Sequence, residues 1–363
     1  MVYSPQSAPT LKNGAGNCLI TGGNLMLTEK ENYLMLLSGE QPEWIPQYSF
    51  VPMPGATKPV ATHMHEPPIL IPHRIRNGGK DIWGVNYVPT YETGQALIPE
   101  PDNFILSDIR QWRDVIKAPS LEGIDWEDMV KKHIENSGID RSQTALALAL
   151  HFGYFQHLMS FMGFSEGLMA MFEEPDEVMD LFTYMCDFFM EVGEKVIDIY
   201  KPDVLTLMDD TAAWGASFVS PQMYKEMLVP FHDRWAKMGR DRGLKMTMHN
   251  CGKCECILDD LVEMGINMWE PAQTCNDLAA VKAKYGNKLA IGGGWDGRGR
   301  LLDPDVTDEE IIASAEETFK KLAPGGGFAW LGGFLGPLDD AEIKRKNAVL
   351  HGAVDKLARS FYK

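Results

Sequence analysis

Leu244-Lys245-Met246-Thr247-Met248 runs directly into His249-Asn250-Cys251, a short buried-strand pattern that ends on side chains able to do chemistry. The same form recurs along the chain. Thr144 to Leu150 ends at His151, Asp203 to Met208 at Asp209-Asp210, and Ile266 to Trp269 at Glu270. Leu289 to Ile291 leads into Gly292-Gly293-Gly294-Trp295-Asp296, and the runs Trp44 to Phe50 and Phe328 to Leu331 complete the set. These runs do not alternate polar with apolar residues, as expected for parallel strands covered on both faces. Helix signals lie between them. Ser220-Pro221 caps and opens a helix to about Arg240, and the capping box Thr307-Asp308-Glu309-Glu310 opens another to about Leu322. Asp339 or Asp340 caps a last helix running towards Tyr362. Strands and helices in this order predict an α/β protein, a (β/α)8 TIM barrel with one strand not evident. A doubly wound open sheet is the alternative, but the Gly-rich turn it needs after its first strand is missing.

Outward from these runs, residues 1–27 are rich in Gly, Asn, Ser and Pro and read as an N-terminal tail or arm. The barrel is expected over 28–363, from the capping box Thr28-Glu29-Lys30-Glu31 onward. Gly78 to Pro101 reads as an inserted β-hairpin, with Asp81 to Tyr87 as one arm. Ala145 to Phe164 carries no Asp, Glu, Lys or Arg, yet His151, Gly153, Gln156 and His157 interrupt it. A buried strand entering a helix accounts for it better than a membrane span. The formal charge of −17 argues against nucleic acid or an anionic membrane as partner. Six cysteines in 363 residues, with no signal peptide pattern, point to a reducing cytoplasm.

In a barrel of this kind, chemistry belongs at the C-terminal ends of the strands. One mouth then gathers Asp209, Asp210, His249 and Glu270 as candidate catalytic residues, and His151, Trp295 and Asp296 as candidates for holding a substrate. Of the paired aspartates, one faces the pocket and the other caps a turn. Imidazole and thiolate together suit zinc, so His249, Cys251 and Glu270 form a candidate metal set. A capped strand end with a buried thiol is the plainer reading of His249-x-Cys251. Cys254, Cys256 and Cys275 add thiols nearby.

With these residues in view, the chain resembles the uroporphyrinogen decarboxylase superfamily, in particular its cobalamin-dependent methyltransferases. The resemblance runs from about Met26 to the C-terminus. It is carried by Met26 to Tyr33, Asp209-Asp210 with Val219-Ser220-Pro221, His249-Asn250-Cys251-Gly252, and Gly292 to Asp296. It implies a TIM barrel with its site at the strand ends. The decarboxylases proper carry an Arg-rich loop after the first strand, whereas Phe50 to Ala56 contains no Arg. A substrate bearing many carboxylates would be poorly held there. The relatives that methylate coenzyme M are similar at His249 and Cys251, which match two of their zinc ligands. Their third, a Cys near the last strand, has no counterpart in Ala329 to Gly336, so either Glu270 or Cys275 substitutes or the site holds no metal.

Asp81-Ile82-Trp83-Gly84, followed by Asp125-Trp126-Glu127, is more similar to the methyltransferases that begin O-demethylation of methoxylated aromatics. That resemblance implies transfer of a methyl group from an aryl methyl ether to the Co(I) of a partner corrinoid protein, which brings the cofactor with it. A decarboxylase of a smaller acid and a non-catalytic binding protein are the competing readings. A homodimer is compatible with all three.

Overall fold

The computed structural model describes residues 27–50, 59–150 and 153–363. Among these, a parallel sheet curls through β1 (Thr62–His65), β5 (Ala145–Ala149), β6 (Val204–Met208), β7 (Lys245–His249), β8 (Met268–Ala272), β9 (Ala290–Gly293) and β10 (Phe328–Ala329), each paired with the next. A separate antiparallel sheet of β2 (Gly79–Lys80), β3 (Asn86–Thr90) and β4 (Ala96–Pro99) is inserted after β1. The ring closes through Pro46 to Phe50. Tyr48 N donates to Trp330 O and Trp330 N to Pro46 O, both at 2.8 Å, and Met64 N donates to Phe50 O at 2.7 Å. That segment stands between β10 and β1 and supplies the eighth stave of the expected TIM barrel.

Among the described residues, eleven α-helices are longer than four residues: α1 (Glu29–Leu37), α2 (Trp126–Ser137), α3 (Tyr154–Met162), α4 (Phe164–Glu173), α5 (Pro175–Tyr200), α6 (Pro221–Met227), α7 (Val229–Asp241), α8 (Leu258–Glu263), α9 (Leu278–Tyr285), α10 (Asp308–Leu322) and α11 (Ala341–Ser360). The capping boxes at Thr28 and Thr307 both form, and Asp340 caps α11. The helix expected from Pro221 to Arg240 is broken at Leu228. Pro230 has no N–H to continue the ladder, so α7 starts afresh with Pro in its first turn. None of the helices among the described residues is long and apolar enough to cross a membrane.

What packs inside the barrel follows from side-chain size. In Ala145-Leu146-Ala147-Leu148-Ala149 every position is apolar, but successive side chains point to opposite faces. The alanines join an inner cluster with Met64, Val204, Met208, Met268 and Ala290, while Leu146 and Leu148 pack outward against the helices. The small inner face leaves room for Tyr33, Leu36 and Leu37 of α1 and for Tyr48. Lys30 fixes α1 at the N-terminal end of the strands, its N–H on Gln143 O at 2.8 Å and its ammonium 2.6 Å from Asp203. The opposite end is left to the loops.

The insert differs from the expected hairpin. Asp81 to Gly84 is a turn, in which the Asp81 carboxylate accepts from Trp83 N and Val85 N at 2.9 Å each. The strands lie on either side of it, and a third follows. Trp83 is buried against Phe161, Phe188 and Phe189, so it packs in the helix layer.

β1 is the strand with no apolar run. Its outward residues His63 and His65 are buried, with ring centroids 4.6 Å apart, and His65 lies 5.0 Å from His133 of α2. Burial, reinforced by the neighbouring imidazoles, depresses His63 to about 4 and His65 to about 3. Above the ordinary imidazole value, near 6.5, neither the folded nor the unfolded chain is protonated there. Below it the unfolded chain takes up protons that the folded chain refuses, so stability falls as pH falls from about 6.5 towards 4. Each ring should contribute a loss of about 1.4 kcal/mol per pH unit. Urea midpoints at pH 7.5, 6 and 5 test this. The His63→Leu/His65→Leu double variant should show a flatter acid slope, and an unchanged slope would contradict the assignment.

Candidate functional site

Ladder register brings the strand ends together. Met208 pairs with His249 and His249 with Glu270, while Asp209 N donates to His249 O at 3.0 Å and Asn250 N to Glu270 O at 2.9 Å. Two-residue periodicity then sorts inward from outward. On β6 the inward positions Thr206 and Met208 continue to Asp210. On β7 Thr247, hydrogen-bonded to Thr206 at 3.0 Å, continues to His249 and Cys251. On β8 Met268 continues to Glu270. Gly292 of β9 keeps the space beside this carboxylate open, since a Cβ there would lie 2.9 Å from the Glu270 Cβ.

Asp210 is half-buried. Its Oδ1 accepts from Cys251 N at 2.7 Å and lies 3.6 Å from His249 Nε2, and its Oδ2 accepts from Gln156 Nε2 at 3.2 Å. His249 Nε2 is 3.6 Å from Cys251 Sγ. Its Nδ1 donates to Glu270 Oε2 at 2.9 Å, and Tyr48 OH donates to Glu270 Oε1 at 3.1 Å. The Phe50 ring stands edge-on to the imidazole at 5.2 Å. Burial pulls the imidazole down, but the Glu270 carboxylate, Cys251 and Asp210 outweigh it and hold His249 well above its ordinary value. Burial raises the Cys251 thiol, against the pull of His249.

The ligand atoms of Asp210, His249 and Cys251 all lie within 4.8 Å of one another. One oxygen, one imidazole nitrogen and one sulfur is a donor set that fits zinc, and three protein ligands leave a fourth position for substrate, as in catalytic zinc sites. The set differs from His249, Cys251 and Glu270. Glu270 lies on the Nδ1 side of the ring, away from the thiol, and it is Asp210 that meets Nε2 and Sγ.

Asp209 takes no part in this pocket. It is fully buried, and it accepts from Phe155 N at 3.1 Å, Gln156 N at 3.2 Å and His232 Nε2 at 3.1 Å. Burial drives its carboxyl up, while His232 and the two amides hold it back. Helix α3 has Gly153 at its N-cap and no capping side chain of its own. Asp209 supplies that cap from β6. The expected division of labour between the two aspartates is present, but the capped element is α3.

Trp295 and Asp296 are likewise engaged elsewhere. Trp295 donates to Ser314 Oγ at 2.9 Å and packs on Trp330 and Phe334. Asp296 is gripped by Arg298 and Thr274, and the Arg298 guanidinium holds its carboxyl well below the usual carboxylate range. His151 lies outside the described residues. Cys254 Sγ donates to Cys251 O at 3.1 Å and stabilises the loop, and neither Cys254, Cys256 nor Cys275 joins the cluster. Gln156 and Tyr48 were not singled out in the sequence. The signal for Gln156 was its place in an otherwise apolar run directly after β5.

A uroporphyrinogen decarboxylase family model matches residues 143–330, just over half of the chain. Among solved structures, a methyltransferase from Methanosarcina mazei is 15% identical, with 93% of this chain and 100% of that chain covered and a TM-score of 0.55. At that identity the likeness speaks for the fold. D-Psicose 3-epimerase from Clostridium cellulolyticum H10 is 12% identical over 64% of this chain and 84% of its own, with a TM-score of 0.36, which is too low to argue from. No curated protein matches. The family match spans β5 through β9 to Trp330, the stretch that carries Asp210, His249, Cys251 and Glu270, and on it the chain belongs to the uroporphyrinogen decarboxylase family.

Proposed function

We propose that this chain is a methyltransferase that moves a methyl group from an aryl methyl ether to the Co(I) of a corrinoid carried by a partner protein. The observation that carries the reading is the Asp210–His249–Cys251 cluster at the C-terminal ends of β6 and β7. In the reaction the methyl carbon leaves the ether oxygen and bonds to cobalt. The electron pair of the broken C–O bond stays on oxygen as a phenolate, and the Co(I) pair forms the new bond. Co(I) is itself the nucleophile, so the protein's task is the leaving group. Zinc held by Asp210, His249 and Cys251 would supply a Lewis acid for that oxygen. The protein's own side chains do the rest. Glu270 orients His249, Gln156 orients Asp210, and Phe50 offers an apolar edge beside the imidazole.

The test is phenol release from a panel of methoxybenzenes, followed by chromatography, with and without a reduced corrinoid protein. Release is expected only when both proteins are present. No release from any member of the panel would overturn the proposal. CO₂ release from a small carboxylic acid without corrinoid would favour a decarboxylase instead.

A further inference from the structure

Tyr48, from the segment that closes the barrel, reaches the metal cluster through another residue. It is buried, and its hydroxyl donates to Glu270 Oε1 at 3.1 Å. Glu270, fully buried, accepts from His249 Nδ1 at 2.9 Å through its other oxygen. Beneath them Tyr33 of α1 packs against Tyr48, with ring centroids 6.1 Å apart, and its own hydroxyl is buried with no hydrogen-bond partner among the described residues. Tyr33 therefore closes the inner end of the line without competing for the carboxylate. Each bond has a fixed direction, because a carboxylate only accepts and Tyr48 is the donor on its far oxygen.

We infer that Tyr48 is a positioning residue: by engaging Glu270 Oε1 it holds Oε2 on His249 Nδ1–H, so that once a metal displaces the Nε2 proton the lone pair of Nε2 is aimed between Asp210 and Cys251. An imidazole can ligate only through the nitrogen that lacks a proton, and a carboxylate on the other nitrogen selects that tautomer and raises ligand basicity. Phe at position 48 would leave Oε1 without its donor and free the carboxylate to rotate off the ring. Gln at position 270 would turn an NH₂ donor towards Nδ1 and favour the tautomer protonated at Nε2, which cannot bind a metal. This inference rests on the metal reading of the site given above.

The experiment titrates Co(II) into the metal-depleted full chain and follows the thiolate-to-cobalt charge-transfer absorption. It is paired with ¹⁵N NMR of the imidazoles in the metal-depleted protein, at a pH above the His249 titration where the ring is neutral. Wild type should bind one equivalent. Tyr48→Phe should bind about 10-fold more weakly and Glu270→Gln about 100-fold more weakly, the range expected for partners that orient a ligand. Tyr48→Phe should also show His249 sampling the Nε2-protonated tautomer, a readout that loss of packing alone would not move. Should Tyr48→Phe fail to fold, the same comparison is made on Glu270→Gln. Unchanged affinity and an unchanged His249 tautomer in the variants, with wild type binding normally, would overturn the inference alone. No cobalt binding by wild type would overturn the metal reading and this inference with it.

Discussion

His249→Ala is expected to abolish zinc binding and to lower methyl transfer by at least about 100-fold, the scale of removing one group that stabilises developing charge. The imidazole is the centre of the cluster. Its Nε2 lies 3.6 Å from both the Asp210 carboxylate and the Cys251 thiol, and it is the nitrogen donor of the cluster. Its removal also strands Glu270, a fully buried carboxylate whose remaining side-chain partner among the described residues is the Tyr48 hydroxyl. Breaking one side of a buried charged pair costs about 3–5 kcal/mol, so thermal stability should fall as well. Cys251→Ala separates the two effects. The backbone N–H of Cys251, which a substitution keeps, makes the bond to Asp210, so this variant should lose zinc and activity and retain the melting temperature of the metal-depleted wild type. Metal analysis with thermal unfolding of both variants checks this. Full zinc occupancy in Cys251→Ala would remove the thiol from the site.

Gly252→Ala is expected to cost about 3 kcal/mol or more of folding stability, for reasons of backbone shape. Gly252 has φ +90, a conformation that L side chains rarely adopt. A Cβ there would lie 2.6 Å from the Ala212 carbonyl carbon and 2.7 Å from the Ala213 oxygen, so the β7 loop would have to lift off the β6 loop. The two loops are tied by Lys253 N donating to Ala213 O at 2.9 Å, and Gln273 holds Gly252 N at 2.7 Å. Lifting them moves Cys251 away from Asp210, so metal affinity should fall together with stability. Gly123→Ala is the control. It also has positive φ but open space around it, and should lose only about 1–2 kcal/mol. Equal urea midpoints for the two variants would show that the close approach at Gly252 is not what matters.

The barrel was legible because most of its strands are near-continuous apolar runs, and several of them lead into a polar residue. β1 escaped because Thr62-His63-Met64-His65 puts two imidazoles where an apolar run is expected, and they are buried in the wall all the same. The insert was legible as β structure, but Asp81 to Gly84 forms its turn, since one carboxylate caps two amides. Asp210 and Asp209 could have been told apart from sequence by counting in twos from Thr206 and Met208, which reach Asp210 and leave Asp209 facing the helices. The same count from Thr247 picks His249 and Cys251 together. What the pattern does not carry is which side of the imidazole Glu270 meets, because that depends on the β7–β8 register. Nor does it give Tyr48, whose partner is 222 positions away in the chain. Trp295 and Asp296 lie at a strand end, but Ser314 and Arg298 already satisfy them.

The central claim is that the Asp210–His249–Cys251 cluster holds a metal on which methyl transfer depends. The most direct test is single-turnover absorbance of the corrinoid. Reduced partner protein and a methoxybenzene are mixed with the chain as purified, after chelation, and after return of one equivalent of zinc. Conversion of Co(I) to methyl-cobalt should be lost on chelation and restored by the added zinc. Conversion at the same rate in the chelated protein would contradict the account.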